Sequence, residues 1–256
     1  SGAYNLRFWG SLAGRGGFAV VSPDGHGRRL PFYSWGWPGQ IADLARMPAL
    51  AQAAYGWLRI DPRRIYAIGD SMGAQEVLLL AAAGKLRLAG VAAFDPVTNM
   101  AERYRVWRVT PGEERLPALA RLEFGGTPQS APALYTARSP SAKLRAYARS
   151  TTPLQLWWSR RDAVVTDERE QTQAFFARLI ALAPAAPVQQ IVGYWEHAHA
   201  FHPETQLRIA LACFGLLPVR GVTVPPFTRQ PDGSIAELPP GSAAAPVPFT
   251  HAFCSR

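Results

Sequence analysis

Short unbroken apolar runs alternate along this chain with longer stretches of helical spacing. Phe18–Val21 ends at Ser22-Pro23-Asp24-Gly25, Arg64–Ile68 runs into Gly69-Asp70-Ser71, and Leu88–Phe94 stops at Asp95-Pro96. Pro153–Trp158 and Val188–Val192 repeat the pattern later. Runs of this length, closed by turn residues, predict strands buried on both faces. Between them apolar residues recur every three or four positions, which predicts helices over Asn5–Arg15, Ile41–Trp57, Gln75–Ala83, Asp167–Leu182 and Glu204–Leu217. Gly16-Gly17 reads as a helix stop, and Pro48 as a kink or break. Strand and helix in alternation predict an α/β class: a mostly parallel sheet with helices on both faces.

Two stretches depart from this rhythm. Residues 98–150 hold several Pro and Gly residues and only patchy helical spacing (Leu116–Leu122, Lys143–Ala148), which predicts an insertion between two strands, a small cap or lid. Residues 218–256 are rich in Pro and Gly and read as a surface-wrapping tail. No internal repeat is visible, and residues 1–256 are read as a single domain. The first helix leads directly into a buried strand, so the pattern expects an earlier strand before Ser1.

Composition narrows the picture only a little. A chain of 256 residues with 48% hydrophobic content suits one large α/β domain. No apolar run approaches the ~18 residues of a membrane span, and no leader is visible at Ser1. The net charge is +9, carried almost wholly by scattered arginines, with Lys85 and Lys143 the only lysines. Scattered charge without a recognition motif reads as a solvated surface and not as a nucleic-acid footprint. Cys213 and Cys254 are the 2 cysteines. They are consistent with a disulfide that ties down the tail, hence with an oxidising, secreted or periplasmic setting; two free thiols are the alternative.

The candidate chemistry centres on Gly69-Asp70-Ser71-Met72-Gly73. This G-x-S-x-G pattern lies between a predicted strand and a predicted helix, the context a nucleophile elbow requires. Glycines at 69 and 73 are expected to avoid clashes with strand and helix, and the Met72 N–H is a candidate oxyanion donor. A serine needs a base, and the base needs a carboxylate to orient it. His26 precedes the serine in a Gly-rich turn and His251 lies in the tail, which leaves His197 or His199 as the base. Asp162, on the loop after a strand, is the expected acid; Asp95 is its rival, Asp167 and Glu168 read as helix-end charges, and Asp70 is expected to tune the elbow. His197, His199 and His202 lack the carboxylate or cysteine spacing of a zinc site, so no metal and no cofactor is expected. Trp35, Trp37, Trp158 and Trp195 follow strand ends and are candidates either for an apolar substrate cleft or for the core.

Arg64–Gly73, Gly17–Val21 and Asp162–Val165 together resemble the α/β-hydrolases, in particular secreted esterases and polyester hydrolases related to the prolyl oligopeptidases. The resemblance runs from about residue 5 to residue 217. It implies an α/β-hydrolase fold and a serine carboxylic-ester hydrolase that works through an acyl-enzyme on a small or polymeric ester, as a monomer. Ala74 stands where these families often carry glycine. The turn that normally supplies a second oxyanion donor would fall before Ser1, or its role would pass to the opening loop. A peptidase of the prolyl-oligopeptidase type and a non-catalytic binding module are the alternatives. The peptidases usually carry a further partner domain, absent from these residues, so the esterase is expected first.

Overall fold

A computed structural model describes residues 7–202 and 205–255. Its centre is a six-stranded sheet, in which four long strands are followed by two short strands from the tail, Ile235–Glu237 and then Phe227–Arg229 at the edge. The first four strands are β1 (Tyr66–Asp70), β2 (Gly90–Phe94), β3 (Leu154–Ser159) and β4 (Val188–Gly193). They lie side by side in chain order and all run parallel. Their C-terminal ends therefore form one row, with Asp70 beside Phe94, Phe94 beside Trp157, and Ser159 beside Gly193. This is the edge at which open parallel sheets present ligands.

Side chains alternate across the sheet, so each strand feeds two cores. Ala92, Phe94, Trp157 and Ile191 pack on one face with helix Gln206–Cys213 and the tail. Val91, Ala93, Leu154, Leu156 and Val188 pack on the other with helices Ser71–Ala83 and Ala174–Leu182. Both faces are covered, as the continuous apolar runs predict. Leu78 of the elbow helix is fully buried, and truncating it to alanine would cost about 2–5 kcal/mol. Gly84, at φ +63, ends that helix in the left-handed region that glycine enters without strain.

Helices and turns fill the segment between β2 and β3: Met100–Trp107, Arg115–Phe124, Pro132–Ala137, Pro140–Lys143 and Leu144–Ala148. The first three carry a third apolar cluster, in which Met100, Tyr104, Trp107, Phe124 and Tyr135 meet Trp35 and Val165. Met72, just after the elbow serine, packs against the same cluster.

Several expectations are corrected. Phe18–Val21 joins no ladder with a described strand, and Val21 is 46% exposed; the run is apolar but not buried. The opening helix is interrupted at Gly10, whose φ is +45, before Leu12–Gly16; Asn5 and Leu6 lie outside the described residues. The helix around Pro48 starts earlier than expected, spans Pro38–Ala54 and keeps that proline inside it. The tail is more than a wrapping. β7 (Ile235–Glu237) pairs parallel with β4, and β6 (Phe227–Arg229) pairs antiparallel with β7. β5 (Thr223–Val224) and β8 (Val247–Pro248) form a separate two-stranded ladder. Strands of two or three residues are too short to show a period in sequence. A Cys213–Cys254 disulfide fastens the tail to helix Gln206–Cys213.

Candidate active site

Ser71 opens the helix that follows β1 and has φ +51, a conformation that costs a non-glycine residue energy. Gly69 makes the bend possible. A Cβ on Gly69 would lie 2.6 Å from the backbone carbonyl atoms of Gly73. The requirement is one-sided, because a Cβ on Gly73 would meet nothing within 4 Å. The expectation that both glycines are sterically demanded is therefore corrected. The small residue needed on the helix side is Ala74, which is fully buried.

Met72 occupies the first turn of this helix, where backbone N–H groups have no partner within the helix. Its thioether accepts the Trp35 N–H at 3.4 Å and the Ser34 hydroxyl at 3.6 Å. The Ser34 hydroxyl also donates to Glu76. Gln75 donates to the carbonyls of Trp35 and Arg138, at 3.3 and 2.7 Å. On its far side the loop is held by Glu123, whose carboxylate accepts the N–H groups of Arg28, Arg29 and Leu30 at 2.5, 2.8 and 3.1 Å. Arg138 bridges Glu123 to the Ser34 carbonyl. The insertion thus braces residues 28–35 against the elbow.

Asp162 sits on the loop after β3. Its Oδ1 accepts the N–H groups of Val164 and Val165, both at 2.7 Å, and its Oδ2 meets His197 Nδ1 at 2.7 Å. His199 is exposed and makes no side-chain bond to either aspartate. His26 is bound instead to Asp43, at 2.7 Å. The Asp162–His197 contact leaves the other ring nitrogen of His197, Nε2, free for chemistry. Burial works against charge on the imidazole, but the Asp162 hydrogen bond and the charges of Asp162, Asp95 and Asp70 outweigh it, so the His197 pKa is raised. Asp70, which precedes Ser71, is one of the charges that raise the His197 pKa, and among the described residues no hydrogen bond joins Ser71 to His197.

Asp95, the rival acid, does something else. It is fully buried at the end of β2, accepts the Trp195 indole N–H at 3.1 Å on each oxygen, and accepts the Ala198 N–H at 3.2 Å. Burial first, then the Asp162 charge, push its pKa up to about 7. Asp167 and Glu168 stand at the start of a helical turn, as expected of helix-end charges, but both are buried. Asp167 is buried against Arg103 at 2.9 Å, and both oxygens of buried Glu168 lack a partner among the described residues. Burial and the Asp95 charge hold the Glu168 pKa well above the ordinary carboxylate range. No spacing rule could have found this acidic group, since its members come from separate loops.

The four tryptophans divide. Trp35 is buried, at φ +38, between Trp107 and Phe124. Trp37 is half-buried and meets the His26 ring edge-on. Trp158 is buried, with its indole donating to Gln190 at 3.1 Å, and Trp195 is buried on Asp95.

Solved structures share this architecture. The Staphylococcus aureus serine hydrolase FphF, described as fluorophosphonate-binding, matches with a TM-score of 0.55 at 13% identity, over 83% of this chain and 78% of its own. An acylaminoacyl peptidase in complex with Z-Gly-Gly-Phe-chloromethyl ketone matches at 0.53 and 15% identity, over 72% of this chain and 29% of that one. Uncomplexed Pyrococcus horikoshii acylaminoacyl peptidase matches at 0.52 and 16%, with the same coverage. The chain has the α/β-hydrolase fold. It spans less than a third of the length of these peptidases. No protein family's sequence profile matches it, and no curated protein does. Within the hydrolase fold, Ser71 lies at the strand-to-helix bend, and Asp162 and His197 lie on the loops after the third and fourth parallel strands. No helix among the described residues is long and apolar enough to cross a membrane.

Proposed function

We propose that this protein is a serine hydrolase that cleaves carboxylic esters through a Ser71–His197–Asp162 triad. The observation that carries the reading is the 2.7 Å contact between His197 Nδ1 and Asp162 Oδ2, together with the strained, left-handed Ser71 at the bend after β1. His197 Nε2 takes the Ser71 hydroxyl proton as Oγ attacks the ester carbonyl. Asp162 keeps the remaining proton on Nδ1 and stabilises the imidazolium. The Met72 N–H donates to the tetrahedral oxyanion, aided by the positive end of the elbow helix. His197 then protonates the departing alkoxide, and water releases the acid from Ser71 by the same route.

The apolar cluster behind Met72, with half-buried Tyr33 at its edge, supports an apolar or aromatic acyl group; Trp35 is buried within that cluster, and Trp37 stands half-buried against His26. Trp158 and Trp195 take inner positions in this scheme, supporting the loops instead of touching substrate. The disulfide supports work outside a reducing compartment. A peptidase activity is the second reading, favoured by the likeness to the acylaminoacyl peptidases. A fluorophosphonate probe should label Ser71, with labelling lost in Ser71→Ala. Nitrophenyl esters of short and aromatic acids should turn over faster than the matching peptide amides. Failure to label Ser71 overturns the hydrolase; faster amide cleavage replaces the esterase with the peptidase.

A further inference from the structure

Four parallel strands in chain order pose a geometric problem for a triad of this kind. The serine leaves β1 and the histidine leaves β4, three strand spacings away, or about 14 Å at 4.7–4.9 Å per strand. An imidazole side chain does not cover that distance. The loop after β4 must lean back across the ends of β3 and β2, and something at those ends must hold it there. Asp162 holds the ring itself. What holds the backbone is Asp95, at the tip of β2.

We propose, on the reading of Ser71, Asp162 and His197 as a triad, that Asp95 is a positioning residue for His197. Its carboxylate grips the chain on both sides of the base, through the Trp195 indole two residues before and the Ala198 N–H one residue after. Both backbone ends of the clamp stand in the left-handed region, Asp95 at φ +47 and Ala198 at φ +61, so the arrangement costs energy that the contacts must offset. Trp195 is an adaptor here. Its ring packs in the core beneath the loop, and its N–H spends its one donor on Asp95.

The clamp is also electrostatic. Asp95, Asp162 and His197 each place a side-chain atom within 4.8 Å of the others. Asp95 faces Asp162 from the loop after β3, His197 and Trp195 from the loop after β4, and buried Glu168 from the stretch leading into the helix after β3. Ionised Asp95 favours the imidazolium. Loss of its proton therefore strengthens the base that accepts the serine proton.

Asp95→Asn and Asp95→Ala separate grip from charge. An asparagine oxygen can still accept from Trp195 and Ala198, but it carries no charge. NMR of the His197 ring in the intact protein reads both effects without needing turnover. In Asp95→Asn the His197 titration should move to lower pH, while the low-field Nδ1–H resonance shared with Asp162 persists. In Asp95→Ala that resonance should broaden or vanish. Turnover of a nitrophenyl ester should fall about tenfold or more in Asp95→Ala, mainly in kcat, with KM within about threefold. Trp195→Phe, which removes the donor together with part of the buried ring, should lose a similar factor, and the double variant Asp95→Ala/Trp195→Phe should lose little more than either alone. An unmoved His197 titration in Asp95→Asn, or multiplicative losses in the double variant, overturns the proposal. Wild-type protein whose Ser71 resists fluorophosphonate overturns the triad instead, a separate result.

Discussion

Asp162 and His197 stand 35 residues apart in the chain and 2.7 Å apart in space, through Oδ2 and Nδ1. The second oxygen of Asp162 is committed to the N–H groups of Val164 and Val165. The carboxylate is thus held by its own loop before it meets the histidine, and its orientation does not depend on that partner. A fixed carboxylate determines which ring nitrogen of His197 carries the proton, and so which one is free to receive another.

Asp162→Asn tests this directly. The asparagine oxygen goes to the two valine N–H groups, and its NH₂ faces Nδ1. Nδ1 must then accept, which moves the imidazole proton to Nε2, where the base should be bare. We expect kcat for a nitrophenyl ester to fall about 10²–10⁴-fold with KM little changed. A loss below about tenfold in steady-state kinetics would show that Asp162 does not set the tautomer.

The pH dependence follows from the environment of His197. Burial lowers its pKa, but the Asp162 hydrogen bond and the surrounding carboxylates raise it further, to a net value above the ordinary 6.5. A base must be neutral, so the acid limb of kcat/KM should lie above pH 6.5. The same shift stabilises the fold: its contribution is complete below pH 6.5 and is lost as pH rises through the higher folded value. A pH–rate profile whose acid limb falls at or below 6.5 contradicts this.

Much of this was legible in the sequence, for identifiable reasons. β2 to β4 are buried on both faces and β1, at the edge, on alternate residues; their short apolar runs mark them, and the candidate chemistry sits on the loops that follow. That rule proposes Ser71, Asp162 and either His197 or His199, and it leaves the two histidines undivided: which ring meets Asp162 depends on how the loop folds back over Asp95, 100 residues before Trp195. Phe18–Val21 misled because an apolar run reports composition, whereas a strand also needs a neighbour. The tail strands β6 and β7 were invisible because three residues hold no period. Glu168 stands at a helix start, as its place before a predicted helix suggests; only the fold shows that it is buried there.

Gly69 and Gly73 look equivalent in the motif and are not equivalent in space. Gly69→Ala would drive a Cβ to 2.6 Å from the Gly73 backbone, which cannot retreat without shifting the elbow helix. We expect a loss of about 1–3 kcal/mol with loss of activity. Gly73→Ala meets open space inside a helix, where alanine is favoured by about 0.5–1 kcal/mol. Urea denaturation of both variants checks the contrast. Equal destabilisation would mean that Gly73 is as confined as Gly69.

The Cys213–Cys254 bridge closes a loop of 41 residues. That loop contains both short ladders, including the strands that extend the main sheet beyond β4. Restricting an unfolded loop of this length is worth about 4 kcal/mol in the chain-entropy picture. Cys213→Ser/Cys254→Ser, or reduction of the native protein, should lower stability by up to that amount. The loss should begin at the tail, because Phe249 and Phe253 reach the core only through the segment the bridge holds. Hydrogen exchange at Ile235–Glu237 should rise before exchange at Leu154–Ser159, and esterase turnover should persist while β1 to β4 stay folded. Unchanged exchange in β7 after reduction would show that the tail strands are held by packing alone.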